Sequence, residues 1–151
     1  MNLFDYIDEQ TIEFNVEQSN WKDAVCYAGS LLEKVGYIEH QYTEDMVSLV
    51  ETLGAYIVVM PGVALAHARP QGHVMKNSIA IITLKEGIDF GHETNDPVRV
   101  VFAIAAVDDD EHLKLFQSVA NYLIEDSNLE RILNAEKIDD LKGEESDEQN
   151  Q

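Results

Sequence analysis

Pro61-Gly62-Val63-Ala64-Leu65-Ala66-His67-Ala68-Arg69-Pro70 is the stretch of this chain best suited to chemistry. One histidine follows an apolar segment and stands beside an arginine, with Gly62, Ala64, Ala66 and Ala68 keeping its surroundings small. Small neighbours let another molecule approach closely. Imidazole is nucleophilic while neutral, and its ordinary pKa leaves it mostly neutral at pH 7. His67 can therefore accept a phosphoryl group without a separate base. The competing reading of the pattern by itself is a hydrogen-bonded structural histidine near an apolar strand.

Four further histidines need weighing. His112 falls in the first turn of a helix that starts after Asp108, where unpaired backbone N–H groups can hold an anion. The acids at 108–111 oppose an anion unless they point away, and the plain alternative is a surface residue. His40 lies in a polar interhelical segment, and His73 and His92 lie in loops. A metal-dependent hydrolase would draw His67, His73, His92 and His112 together with Asp or Glu. No His-Glu-x-x-His pair supports it, and neither a Gly-x-Ser-x-Gly elbow nor a glycine-rich phosphate loop is present. The lone Cys26 excludes an internal disulfide and a Cys-rich zinc site. It falls inside a helical pattern, as a small packed residue does. No metal and no cofactor is expected.

The elements that must position these residues follow from periodicity. Asn2 to Tyr6 starts a short helix. Asn20 caps a helix over about Trp21 to Val35, with Trp21, Val25, Ala28, Leu31, Leu32 and Val35 on one face and Gly36 as its stop. Thr43 to Leu53 is a second helix, capped by Thr43 and stopped at Gly54. The period then changes. Tyr56 to Met60 reads as a strand, Pro61-Gly62 as a turn, Val63 to Ala66 as a short extended piece, and Ser78 to Leu84 as a strand ended by Lys85-Glu86-Gly87. Val98 to Val107 is nearly continuous in Val, Ile, Phe and Ala, as expected where both sheet faces are covered. Asp108 and Glu111 have capping-box spacing. The helix they open runs to about Glu125, with Leu113, Phe116, Ala120, Leu123 and Ile124 inward. Short helices follow near Asn128 to Leu133 and Ile138 to Leu141. The expected fold class is α/β, a single domain with a central mixed sheet flanked by helices on both faces. The domain covers 1–142, and residues 143–151, which hold no apolar side chain, form an acidic, disordered tail.

Composition narrows the function further. The 151 residues suit one domain with a real core, and 45% apolar content is that of a globular protein. With 29 acids against 10 Lys and Arg, the formal charge is -19, so the basic footprint for nucleic acid is missing. Anionic membranes are disfavoured likewise. Met1 to Glu9 has no basic signal-peptide region, and Val100 to Val107 is too short to span a bilayer. The expected compartment is the cytoplasm.

Gly62-Val63-Ala64-Leu65-Ala66-His67-Ala68 resembles the active-site stretch of the mannitol/fructose-type (type 2) enzyme IIA family of the bacterial sugar phosphotransferase system. Three blocks are most similar to the ascorbate-specific branch: Gly54 through Pro70, Phe90-Gly91 with Asn95-Asp96-Pro97-Val98, and Ala105-Ala106-Val107-Asp108 with Glu111-His112-Leu113. The resemblance spans roughly Leu3 to Leu141. It implies phosphorylation at His67, phosphoryl stabilisation by His112, HPr as donor, a cysteine of enzyme IIB as acceptor, and an indirect link to membrane enzyme IIC. It also implies a role in ascorbate uptake, with a regulatory phosphorylation sensor or a binding module as the alternatives. Two departures stand out. Ala66 replaces the usual proline, which would stiffen the backbone. The arginine that mannitol-type members carry in the preceding helix is missing from Glu44 to Glu51, and Arg69 is a tentative substitute.

Overall fold

Strand β5, Val98–Ala105, is buried along nearly its whole length, because it is flanked by strands on both edges and covered by helices on both faces. In the computed structural model of the chain, residues 2–143 are described; residues 144–151, most of the expected acidic tail, lie outside them. The sheet contains β1 (Ile12–Val16), β2 (Val58–Met60), β3 (Val63–His67), β4 (Ser78–Ile88) and β5, in the order β1-β4-β5-β3-β2. β1 runs parallel to β4 and β3 parallel to β5, whereas β4–β5 and β2–β3 are antiparallel, so the sheet is mixed as expected.

Helices α1 (Trp21–Lys34) and α2 (His40–Leu53) cover one face, and α3 (Asp109–Leu123) and α4 (Asp126–Asn134) the other. Alternation along β3 divides its side chains between the two cores. Ala64, Ala66 and Ala68 join the α1/α2 core, while Val63 and Leu65 join the α3/α4 core. His67 therefore emerges on the α3 side.

Several local expectations are corrected. β1 follows no clean sequence pattern, because Asn15 sits at φ 55 and breaks the alternation; its N–H bonds the Thr83 hydroxyl at 2.8 Å instead. Tyr56 lies in a 3-10 turn, Ala55–Ile57, and only Val58–Met60 is strand. β4 continues through Lys85-Glu86-Gly87 to Ile88. α2 starts at His40, so His40 is helical rather than interhelical, and Glu39 rather than Thr43 is its N-cap. Thr43 is buried, donates to Glu33 Oε2 at 2.7 Å, and packs where a Cβ on Gly29 would come within 2.5 Å of its hydroxyl. It is a close-approach residue between α1 and α2. On α3 the buried residues are Leu115, Ser118 and Val119, not the expected stripe. Leu113 and Ile124 are 62% and 78% exposed. The helix is rotated so that His112 and Phe116 turn toward the end of β3.

Tyr42 of α2 fastens that strand end. Its buried hydroxyl donates to the Ile104 carbonyl at 2.6 Å and accepts from the Ala68 N–H at 3.1 Å. Burial pushes its pKa up to about 12, so it stays a phenol. Tyr42→Phe leaves the buried Ala68 N–H without its partner. It is expected to cost about 1–3 kcal/mol, read in urea unfolding as a lower midpoint at unchanged slope.

Candidate active site

His67 is the last residue of β3 and opposes Ile104 of β5. Because the strand ends there, its ring lies at the mouth of the α3-side core rather than inside it, and is half-buried. Three rings surround it: Phe116 at 5.0 Å between centroids, His112 at 5.5 Å and Tyr56 at 5.6 Å. His67 Nδ1 is 2.9 Å from the Leu65 carbonyl oxygen, which can only accept. Nδ1 therefore carries the proton, and in the neutral ring Nε2 holds the free lone pair. The Tyr56 hydroxyl, 3.3 Å away, donates to it. The nitrogen left with the lone pair is thus chosen by a backbone carbonyl two residues upstream.

His112 reaches the same place from α3. Asp108 caps that helix, accepting from the Glu111 N–H at 2.8 Å, and the His112 N–H makes the first intrahelical bond to the Asp108 carbonyl at 2.9 Å. One turn on, Phe116 packs edge-on against the His112 ring at 4.7 Å. The acids of this turn are partly directed elsewhere. Glu111 accepts from Asn77 Nδ2 at 3.1 Å and pairs with Lys114 at 3.3 Å, while Asn77 Oδ1 accepts from the Val107 N–H at 2.8 Å. Asn77 so ties the start of β4 to the loop that presents α3. His112 Nε2 is buried and has no hydrogen-bond partner among the described residues.

Burial lowers the His67 pKa below its usual value, against the bond to Leu65, which raises it. Burial likewise lowers that of His112, with repulsion from a charged His67 adding to it and Asp109 opposing. Both rings are consequently neutral at neutral pH.

The other histidines are elsewhere. His40 pairs with Glu33 and Glu44, and His73 with Glu39. His92 Nδ1 accepts the N–H groups of Thr94 and Asn95 within a loop held by the Asp96 carboxylate. Among the described residues, no group of three or more His, Cys, Asp or Glu could hold a metal ion. Arg69 is exposed and lines a groove with Asp45, Ser48 and Thr52 of α2, a groove that does not include His67. Sequence reasoning missed Tyr56, Phe116 and Tyr42 as site residues. Tyr56 had been assigned to a strand and Phe116 to a core stripe; only the i, i+4 spacing of His112 and Phe116 offered a signal.

This pair of histidines on a mixed sheet meets a matching family model, "Phosphoenolpyruvate-dependent sugar phosphotransferase system, EIIA 2", over residues 5–142. The chain belongs to the type-2 enzyme IIA family of the sugar phosphotransferase system. A relative in Shigella flexneri named "Ascorbate-specific PTS system EIIA component" is 34% identical over 134 residues, 87% of each chain. The solution structure of the mannitol-specific cryptic enzyme IIA CmtB from Escherichia coli superposes with TM-score 0.82 at 28% identity, covering 93% of this chain and 95% of that one. The mannitol enzyme IIA of E. coli, solved in complex with phosphorylated enzyme IIB, gives TM-score 0.79 at 25% identity over 89% of this chain and 93% of its own. Among the described residues of this enzyme IIA, no helix is long and apolar enough to cross a membrane. Ala66, where the family usually has proline, is fully buried and opposite Ala103. Sheet pairing and the Tyr42–Ala68 bond hold His67 on either side without the proline ring.

The lowered values set a pH expectation. Followed by NMR of the ring protons, both histidines should titrate below the ordinary 6.5 or so. In His67→Ala the His112 midpoint should rise, since burial loosens and a neighbouring cation is lost. Because folding lowers these pKa values, the unfolded chain binds more protons between each folded value and about 6.5. Stability should therefore decline as pH falls through that window and level off below the folded values.

Proposed function

We propose that this enzyme IIA carries the phosphoryl group on Nε2 of His67, taking it from phospho-HPr and passing it to a cysteine of an ascorbate-type enzyme IIB in the cytoplasm. One observation carries this reading: a lone pair on a half-buried, tautomer-fixed imidazole lies beside a buried histidine nitrogen, His112 Nε2, that has no partner among the described residues. An unsatisfied buried polar atom calls for an explanation, and the oxygens of a phosphoryl group on His67 would supply its missing acceptor. The name of the S. flexneri relative supports the ascorbate assignment, and the mannitol enzyme IIA complex supports enzyme IIB as acceptor.

The chemistry asks little of the protein beyond positioning and charge stabilisation. His67 Nε2 attacks phosphorus in line with the breaking P–N bond of the donor, and the donor nitrogen keeps that electron pair. Nδ1–H stays bonded to Leu65 throughout, so no proton has to leave the His67 ring. His112 donates through Nε2–H to an equatorial oxygen. The apolar surface beside the site, formed by Val59, Met60, Phe116, Leu123 and Ile124, gives a protein partner dry contact next to His67.

Incubation with phosphoenolpyruvate, enzyme I and a matched HPr should give acid-labile phosphate on the wild type and none on His67→Ala. Unchanged labelling of that variant would refute the assignment. His112→Ala should slow transfer roughly ten- to a thousandfold, for a lost donor worth about 1.4–4 kcal/mol. It should fold with stability changed by no more than about 1 kcal/mol, because it deletes an unsatisfied polar atom along with the ring. His92→Ala should transfer at close to the wild-type rate. Phosphorylated protein should hand phosphate faster to an ascorbate-type enzyme IIB than to a mannitol-type one; the reverse order would overturn the specificity.

A further inference from the structure

The Tyr56 hydroxyl has one hydrogen-bond partner among the described residues, and it is the free nitrogen of His67. Tyr56 stands in the 3-10 turn between α2 and β2, entered through Gly54 at φ 85, and the residue is 40% exposed. It meets the His67 ring edge-on, at 82° between planes. A tyrosine that far in solvent can hydrogen-bond water at no cost, so aiming its hydroxyl at one lone pair is a specific arrangement. The lone pair it covers is the one that must be bare for attack.

We infer that Tyr56 is a catalytic residue of this enzyme IIA: its hydroxyl caps His67 Nε2 in the resting protein and moves its hydrogen bond to an equatorial phosphoryl oxygen when the N–P bond forms. The inference rests on His67 being the acceptor. A phosphorus bonded to Nε2 occupies the direction in which the hydroxyl now lies, so the phenol must swing aside. Its exposed position leaves room to do so, and the oxygens of the new group lie around the nitrogen it leaves.

The exchange favours transfer. At rest the hydroxyl bonds a neutral imidazole; after attack it bonds an anionic oxygen, and hydrogen bonds to ionised acceptors are roughly twice as strong. Burial holds the phenol pKa above its usual value, so Tyr56 donates a hydrogen bond and keeps its proton. The step stays balanced: Nε2 gains phosphorus, the donor nitrogen takes the electron pair of the broken bond, and no proton passes through tyrosine. Were Nε2 protonated, the same hydroxyl would turn to accept from its N–H, so the hydroxyl partners the ring in either state.

Tyr56→Phe retains the ring and removes only the hydroxyl. With a matched phospho-HPr, we expect wild type to label at His67 and Tyr56→Phe to label about tenfold more slowly. The 31P resonance of the phosphohistidine should shift, and the unphosphorylated His67 ring should titrate at lower pH than in wild type, because the hydroxyl oxygen that accepts from a protonated Nε2–H is gone. A ring that served packing alone would move neither spectroscopic signal. Wild-type rate, 31P shift and titration in Tyr56→Phe would overturn the inference, as would slowing seen only in Tyr56→Leu, which would assign the effect to the ring. A wild type that takes no label at His67 would instead overturn the acceptor assignment, and this inference with it.

Discussion

The parallel pairing of β3 with β5 is the constraint on which the site depends. It carries five residue pairs from Val63–Val100 to His67–Ile104 and stops at the histidine. Beyond that point the backbone has no ladder to hold it, and the Tyr42 hydroxyl takes over by joining Ala68 N–H to the Ile104 carbonyl. The end of one strand, the end of its neighbour and a helix from the opposite face are thereby fixed to each other through one buried oxygen. His67 is held within this frame by its own Nδ1–H bond to Leu65, which selects the tautomer as well as the ring orientation. A nucleophile placed at a strand terminus can be reached by another protein while its backbone remains as rigid as the core.

The same arrangement explains how a chain of formal charge -19 keeps a site hospitable to phosphate. The immediate neighbours of His67 are three rings that carry no charge near neutral pH, and burial rather than any acid sets the direction of its pKa. The acids that adjoin His112 in sequence are at the start of α3. Asp108 is spent on its helix cap and Glu111 on Asn77 and Lys114. Two of the four acids at this helix start are thereby engaged by hydrogen bonds or an ion pair, while Asp109 acts on the His112 ring.

Much of this was legible in residue order. The Val98–Val107 run announced a doubly covered strand (which ends at Ala105), Asn20 and Asp108 announced helix starts, and the small residues around His67 suggested an approachable histidine. What was not legible depended on contacts between distant segments. β1 is short and interrupted by left-handed Asn15, and it becomes a strand because β4 offers it an edge. Thr43 has the chemistry of a cap, yet the close approach of Gly29 makes it an interhelical residue. The stripe on α3 was misjudged for an instructive reason. Apolar side chains there divide between the core and the apolar surface beside His67, so hydrophobicity alone pointed the helix one position off. Tyr56 could not be found from pattern, because its role rests on a turn that brings it 11 residues back along the chain to the histidine.

Among the described residues, the ring contacts of His67 are to Tyr56, His112 and Phe116, and on the proposed function an uncharged surround has a kinetic logic. A carrier must let the phosphoryl group go as readily as it takes it up, so interactions equally strong before and after transfer would only deepen an intermediate. A fixed cation would do that, since its attraction to the anion persists throughout. Neutral donors that are already committed in the resting state behave differently: the Tyr56 hydroxyl exchanges one acceptor for another, and only the difference between the two bonds stabilises the loaded form. On the proposed function His112 differs from Tyr56, because its buried donor has no partner to give up at rest, while burial keeps its ring from becoming a permanent charge. On that reading the Tyr56 exchange limits how deep the loaded state becomes, as a relay between two proteins requires.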